Sequence, residues 1–223
     1  MSNVDNVNTR IAVLVLAALS LAALSLATLS LGGCAPGAKQ TAENLEKKYF
    51  VLSAQRVAAP QSGAPALEGA LKVKRATISQ SYAGRNLVYR TGENTYVSDY
   101  YNMFFSAPAD MLSQAAREWM RQANLFDNVL VASSDMRPQY VLEASVTSLY
   151  GDFSQSGAPK AVLAMQFFLL KDDSLNYEMT LHTEYARETP LASQTPEALA
   201  AAWNQGLADI LAELEQDLAG LSP

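Results

Sequence analysis

The chain has 223 residues, 49% of them hydrophobic and 17% charged, with a formal net charge of −6. An acidic chain lacks the basic face that releases counterions from phosphate, which argues against a nucleic-acid partner. A single cysteine has no partner within the chain, so no internal disulfide is expected to staple the fold.

In chain order, residues 1–10 are polar and include Arg10. Residues 11–31, IAVLVLAALSLAALSLATLSL, carry no charge. A charged start and an apolar run make a secretory signal, but about 20 apolar residues also suffice to span a bilayer as a helix. The flank decides. Leu31-Gly32-Gly33-Cys34 resembles the lipobox of bacterial lipoproteins, in which a leucine and two small residues precede a lipid-bearing cysteine. Glycine leaves the backbone open to the peptidase. The resemblance implies cleavage before Cys34, diacylation of its thiol, and acylation of the new amino terminus, with palmitate among the acyl groups. It also implies the outer membrane, because Ala35 stands where an aspartate would favour inner-membrane retention. Two acyl chains anchor a protein firmly.

Residues 1–33 then form a cleaved signal peptide and residues 34–47 a lipid-anchored tether. The polar stretch APGAKQTAENLEKK reaches about 45 Å when extended and about 20 Å as a coil. Residues 48–223 form the domain, facing the periplasm.

Within it, KYFVLSA (48–54) reads as a strand and the Pro/Gly/Ser-containing stretch to Gly69 as a loop. ALKVKRATI (70–78) is a second strand. Residues 86–91 and 95–105 flank GEN as a hairpin. A helix is expected over 107–123, with Pro108 in its first turn and Met111, Leu112, Ala115, Ala116, Trp119 and Met120 as one apolar stripe. Strands follow at NVLVASS, YVLEASVTSLYGDF, the almost wholly apolar AVLAMQFFLL, and the alternating EMTLHTEYAR. The last helix starts near Thr195-Pro196-Glu197, and Leu199, Trp203, Leu207, Ile210, Leu214, Leu218 and Leu221 step by three and four along it. That stripe packs most simply on its own sheet, with a partner coiled coil as the alternative. The expected fold is α+β: a mixed, largely antiparallel sheet packed against two amphipathic helices in a two-layer single domain.

Catalytic chemistry is hard to find. The one histidine, His182, falls on the polar side of a strand. No Ser/His/Asp arrangement, metal-spaced cluster or phosphate-cradling glycine loop is visible, so neither an enzyme nor a cofactor is expected. Residues 96–105 are instead dense in aromatics. Simple alternation puts Tyr96, Tyr100 and Phe104 on one face, and Val97, Tyr101, Met103 and Phe105 on the other. Both faces could be core. The functional alternative makes Tyr96, Tyr100, Tyr101, Phe104 and Phe105 a partner or homo-oligomer contact, since exposed aromatics favour interfaces and membrane surfaces.

The succession of YFVL, NLVYR and FFSAPADMLSQAAREWMRQANLFDNV resembles the ABC-type transport auxiliary lipoproteins, the PqiC-like family, over about residues 48–220. Members often carry a tryptophan shortly before the helix-starting proline; here Phe104 and Phe105 stand there. The resemblance implies a non-catalytic docking component of an envelope lipid transport system, in which an ABC transporter works with MCE-domain proteins. The alternatives are an adaptor of another envelope machine, TolB-like or LPS-assembly-like, or a lipid carrier with its own cavity.

Overall fold

The long apolar strands of the second half build the centre of the sheet. The computed structural model describes residues 46–57, 65–155, 157–173 and 176–221, all within one unit, Glu46–Pro223. Cys34, the signal segment and the tether up to residue 45 lie outside the described residues. The elements run β1 (Lys48–Phe50), β2 (Leu67–Val73), β3 (Thr77–Ile78), β4 (Asn86–Arg90), β5 (Tyr96–Phe104), α1 (Pro108–Ala123), β6 (Phe126–Leu130), β7 (Tyr140–Asp152), β8 (Lys160–Asp172), β9 (Tyr177–Pro190) and α2 (Pro196–Ala219). A 3-10 turn covers Gln80–Tyr82.

β7 is the branch point. One edge pairs antiparallel with β8 along its length, and β8 pairs antiparallel with β9. The other edge takes three short strands in succession, all parallel: β2 at Tyr140–Leu142, β3 at Ser145–Val146 and β4 at Gly151–Asp152. The sheet therefore splits into two wings. β2 carries β6, parallel, at one end. β4 carries β5, antiparallel, and β5 carries β1, parallel, at the other.

Both helices contribute to one core. α2 packs on β8 and β9, α1 on β2 and β6, and the helices touch each other. Leu199, Trp203, Leu207, Ile210, Leu214 and Leu218 of α2 are buried, so the stripe is spent on its own sheet rather than on a coiled coil. Trp203 reaches the centre, and its indole N–H donates to the Val162 carbonyl at 3.2 Å. Thr195 caps α2 by accepting the Ala198 N–H at 3.2 Å. Two glycines permit close approach. A Cβ on Gly151 would stand 2.8 Å from Leu199, and one on Gly206 would stand 3.1 Å from the Thr189 hydroxyl.

Some boundaries move for visible reasons. The first strand ends at Phe50 and not at 54, because the chain leaves the sheet to lie on α2. There the Asn204 side chain accepts the Ser53 N–H at 2.9 Å and donates to the Val51 carbonyl at 3.3 Å. The Arg56 side chain, 3% exposed, makes a bidentate pair with Glu215, which also accepts the Trp119 indole N–H at 2.8 Å. The expected 70–78 strand breaks in two because the Ser113 hydroxyl of α1 takes the Ala76 N–H at 2.7 Å, out of reach of β7. The strand after α1 covers Phe126–Leu130 rather than 128–134, since Leu125 already bonds to Leu67.

Candidate docking surface

The aromatic strand β5 does not alternate simply. Its pairing with β4 passes from Val88↔Ser98 to Asn86↔Met103, so β4 advances two residues while β5 advances five. The surplus of three forms a bulge, and an odd surplus inverts the faces beyond it. Asp99 organises the bulge. Its carboxylate accepts the N–H groups of Tyr101 and Asn102 at 2.8 and 3.0 Å, the Asn102 side-chain amide at 2.8 Å and the Tyr89 hydroxyl at 2.7 Å. Its carbonyl accepts the Asn86 side-chain amide at 2.6 Å. Burial pushes the Asp99 carboxyl up, but those hydrogen bonds outweigh it and hold the group below the usual carboxylate range.

The bulge sorts the five aromatics. Phe104 is 2% exposed and packs on Trp203 with ring centroids 5.5 Å apart, so it belongs to the core and leaves the contact surface. Tyr96, Tyr100, Tyr101 and Phe105 stay exposed. Tyr100 and Tyr101, side by side on the bulge, meet edge to face at 5.1 Å. The expected grouping of Tyr96, Tyr100 and Phe104 on one face therefore does not hold.

Two clusters result. At the hairpin end, Tyr96 packs edge-on against Tyr150, which stacks on Tyr82 at 5.9 Å. Burial, together with the neighbouring tyrosines, pushes the Tyr82 hydroxyl up to about 12. Beside Tyr96, Val97 opens onto a mostly apolar cleft of about 370 Å³ lined also by Tyr89, Phe153 and Pro196. Tyr89 and Phe153 meet edge to face at 5.5 Å in its lining.

At the other end, β1 lines β5. Lys48 points toward the helices and pairs with Glu197 at 2.9 Å, while Tyr49 points away and meets Phe105 at 6.4 Å. Arg85 lies over the Tyr49 ring at 5.6 Å and donates to the carbonyls of Phe104 and Phe105. Lys47 lies over the Tyr100 ring at 4.3 Å. Tyr49 and Arg85 escaped sequence reasoning. The only available signal was the adjacency of Lys47-Lys48-Tyr49 at the end of the tether.

His182 is exposed and stacks flat on Phe168 at 4.5 Å. Among the described residues, no group of three or more His, Cys, Asp or Glu side chains could hold a metal, and no helix is long and apolar enough to cross a membrane.

The family model for the "ABC-type transport auxiliary lipoprotein component" matches residues 50–215. Among solved structures, a Xanthomonas campestris protein of the DUF330 family superposes with a TM-score of 0.65 at 18% identity, over 78% of this chain and 96% of that one. An uncharacterized protein superposes with a TM-score of 0.60, also at 18% identity, over 78% of this chain and 99% of that one. At this identity the likeness speaks to the fold alone. No curated protein matches the chain.

Proposed function

This chain belongs to the ABC-type transport auxiliary lipoprotein family, and we propose that it is the outer-membrane-anchored docking component of an MCE-type lipid transport system, without a reaction of its own. Residues 1–33 are the cleaved signal peptide, Cys34 carries the acyl chains, and residues 34–47 tether the domain on the periplasmic side.

The observation that supports docking is the open hairpin end of β4 and β5. Tyr96 and Val97 are each 48% exposed there, beside the apolar cleft. A half-exposed tyrosine and valine beside an apolar concavity are what a protein partner buries as an anchor. The MCE-domain protein is the partner assigned to this end.

A photo-crosslinking residue placed at Tyr96 or Val97 tests this in cells. The expected product is an adduct with an MCE-domain protein. Adducts with other envelope proteins, or none from either position or from Tyr100, Tyr101 and Phe105, would overturn the docking role.

A further inference from the structure

We infer that the aromatic and cationic patch at the β1 end of β5 rests on the lipid headgroup layer of the membrane to which the tether is attached. The patch consists of Tyr49, Tyr100, Tyr101 and Phe105 with Lys47 and Arg85. This inference rests on the lipid-anchor reading of Cys34 and adds a second, non-covalent contact with the bilayer.

The chemistry fits an interface. Tyr49 is 51% exposed on the short edge strand β1, Tyr100 and Tyr101 65% and 37% on the bulge, and Phe105 66% just past the end of β5. Aromatic rings with a polar tip, mixed with long basic side chains, settle at the headgroup level, where rings meet the acyl boundary and ammonium or guanidinium groups meet phosphate. Lys47 and Arg85 already lie over the rings of Tyr100 and Tyr49, which keeps each cation on the aromatic surface. Lys48 is engaged with Glu197, and Glu46 and the Asp99 carboxylate of the bulge offset Lys47 and Arg85, so the local charge is close to zero. A near-neutral patch escapes the repulsion that an anionic leaflet exerts on the chain's formal charge of −6.

The chain connectivity points to the same end. Eleven residues, 35–45, separate Cys34 from the first described residue, Glu46. A coil of that length spans about 20 Å, which holds the patch near the membrane at an effective concentration in the millimolar range. A contact too weak to recruit a soluble protein then suffices to orient a tethered one. With this end against the lipid, the hairpin end at Tyr96 is left open to a protein partner.

The test uses the full lipidated chain reconstituted in vesicles of phosphatidylethanolamine and phosphatidylglycerol, with brominated and unbrominated acyl chains. Tyr100→Trp places a reporter on the patch, Val131→Trp is the control on an exposed site of the other wing, and wild type gives the background of the buried Trp119 and Trp203. Bromine should quench the Tyr100→Trp emission above background about twofold or more and leave Val131→Trp unchanged. Intact mass of the same preparation reads acylation of Cys34. An acylated chain in which Tyr100→Trp is quenched no more than Val131→Trp overturns this inference alone. A chain without acyl mass overturns the anchor reading and this inference with it. Crosslinks from Tyr100 to an MCE-domain protein and not to lipid also overturn it, while leaving the docking role intact.

Discussion

The Tyr89 hydroxyl donates to the Asp99 carboxylate at 2.7 Å across the β4–β5 hairpin, tying a three-residue bulge to the strand beside it. The bulge decides which aromatics enter the core and which meet the surroundings. Without the bulge, the odd and even residues of β5 would keep their faces to the end, and Phe104 would point away from Trp203.

Asp99→Ala should therefore destabilise the domain by roughly 2–3 kcal/mol, since it removes the charged acceptor of two backbone N–H groups and two side chains. Urea unfolding of both proteins measures it. A loss under about 0.5 kcal/mol, the level of an ordinary surface substitution, would mean the bulge holds without its carboxylate.

Acid should act through the same group and through Glu215. The hydrogen bond from Arg56 holds the Glu215 carboxyl low, and burial opposes it. Asp99 is likewise below its ordinary value. A carboxyl depressed in the folded chain favours folding above its unfolded pKa, near 4, and loses that contribution as the pH falls through the folded value. The urea midpoint should drop from about pH 4 downward, less steeply in Asp99→Asn. An equal slope in both proteins would clear Asp99 of any share.

Adjacent phenylalanines should behave in opposite ways. Phe104→Ala removes a ring packed on Trp203 and should cost about 3–5 kcal/mol. Phe105→Ala, at 66% exposure, should stay within about 0.5 kcal/mol. Denaturant titration separates them, and equal losses would refute the register described for β5.

Glu215→Ala should cost about 3 kcal/mol, because it strips a 3% exposed guanidinium of its carboxylate. The Arg56→Met, Glu215→Leu double variant should recover only part of that loss, because the Trp119 indole N–H still lacks its acceptor. If the single variant is neutral, the segment after β1 is held to α2 by Asn204 and packing instead.

Cys34→Ser should abolish acylation, with the chain left uncleaved or accumulating as precursor, read by intact mass of membrane fractions. Normal maturation and outer-membrane delivery of that variant would refute the anchor.

Much of the architecture was legible because long periodic segments carry it. The apolar run of β8 admits one simple reading, and the α2 stripe from Leu199 to Leu218 fixes a helix whether it packs on its own sheet or on a partner. The site was less legible. Period-2 alternation cannot register a bulge, and the only local sign was Asp99 within an aromatic run, a residue type whose short carboxylate captures nearby N–H groups. The parallel pairing of β1 with β5 depends on contacts made far apart in sequence. So does the break at Ala76, where a helix serine claims a strand N–H.

Affinity purification of the lipidated chain from solubilised envelopes shows whether the domain docks on an MCE-domain protein. An MCE-domain protein and the ABC transporter should co-purify. Recovery should fall at least about tenfold in a folded, acylated Tyr96→Asp, Val97→Asp variant. Wild-type preparations that never contain an MCE-domain protein, even after chemical crosslinking in intact cells, would contradict that docking.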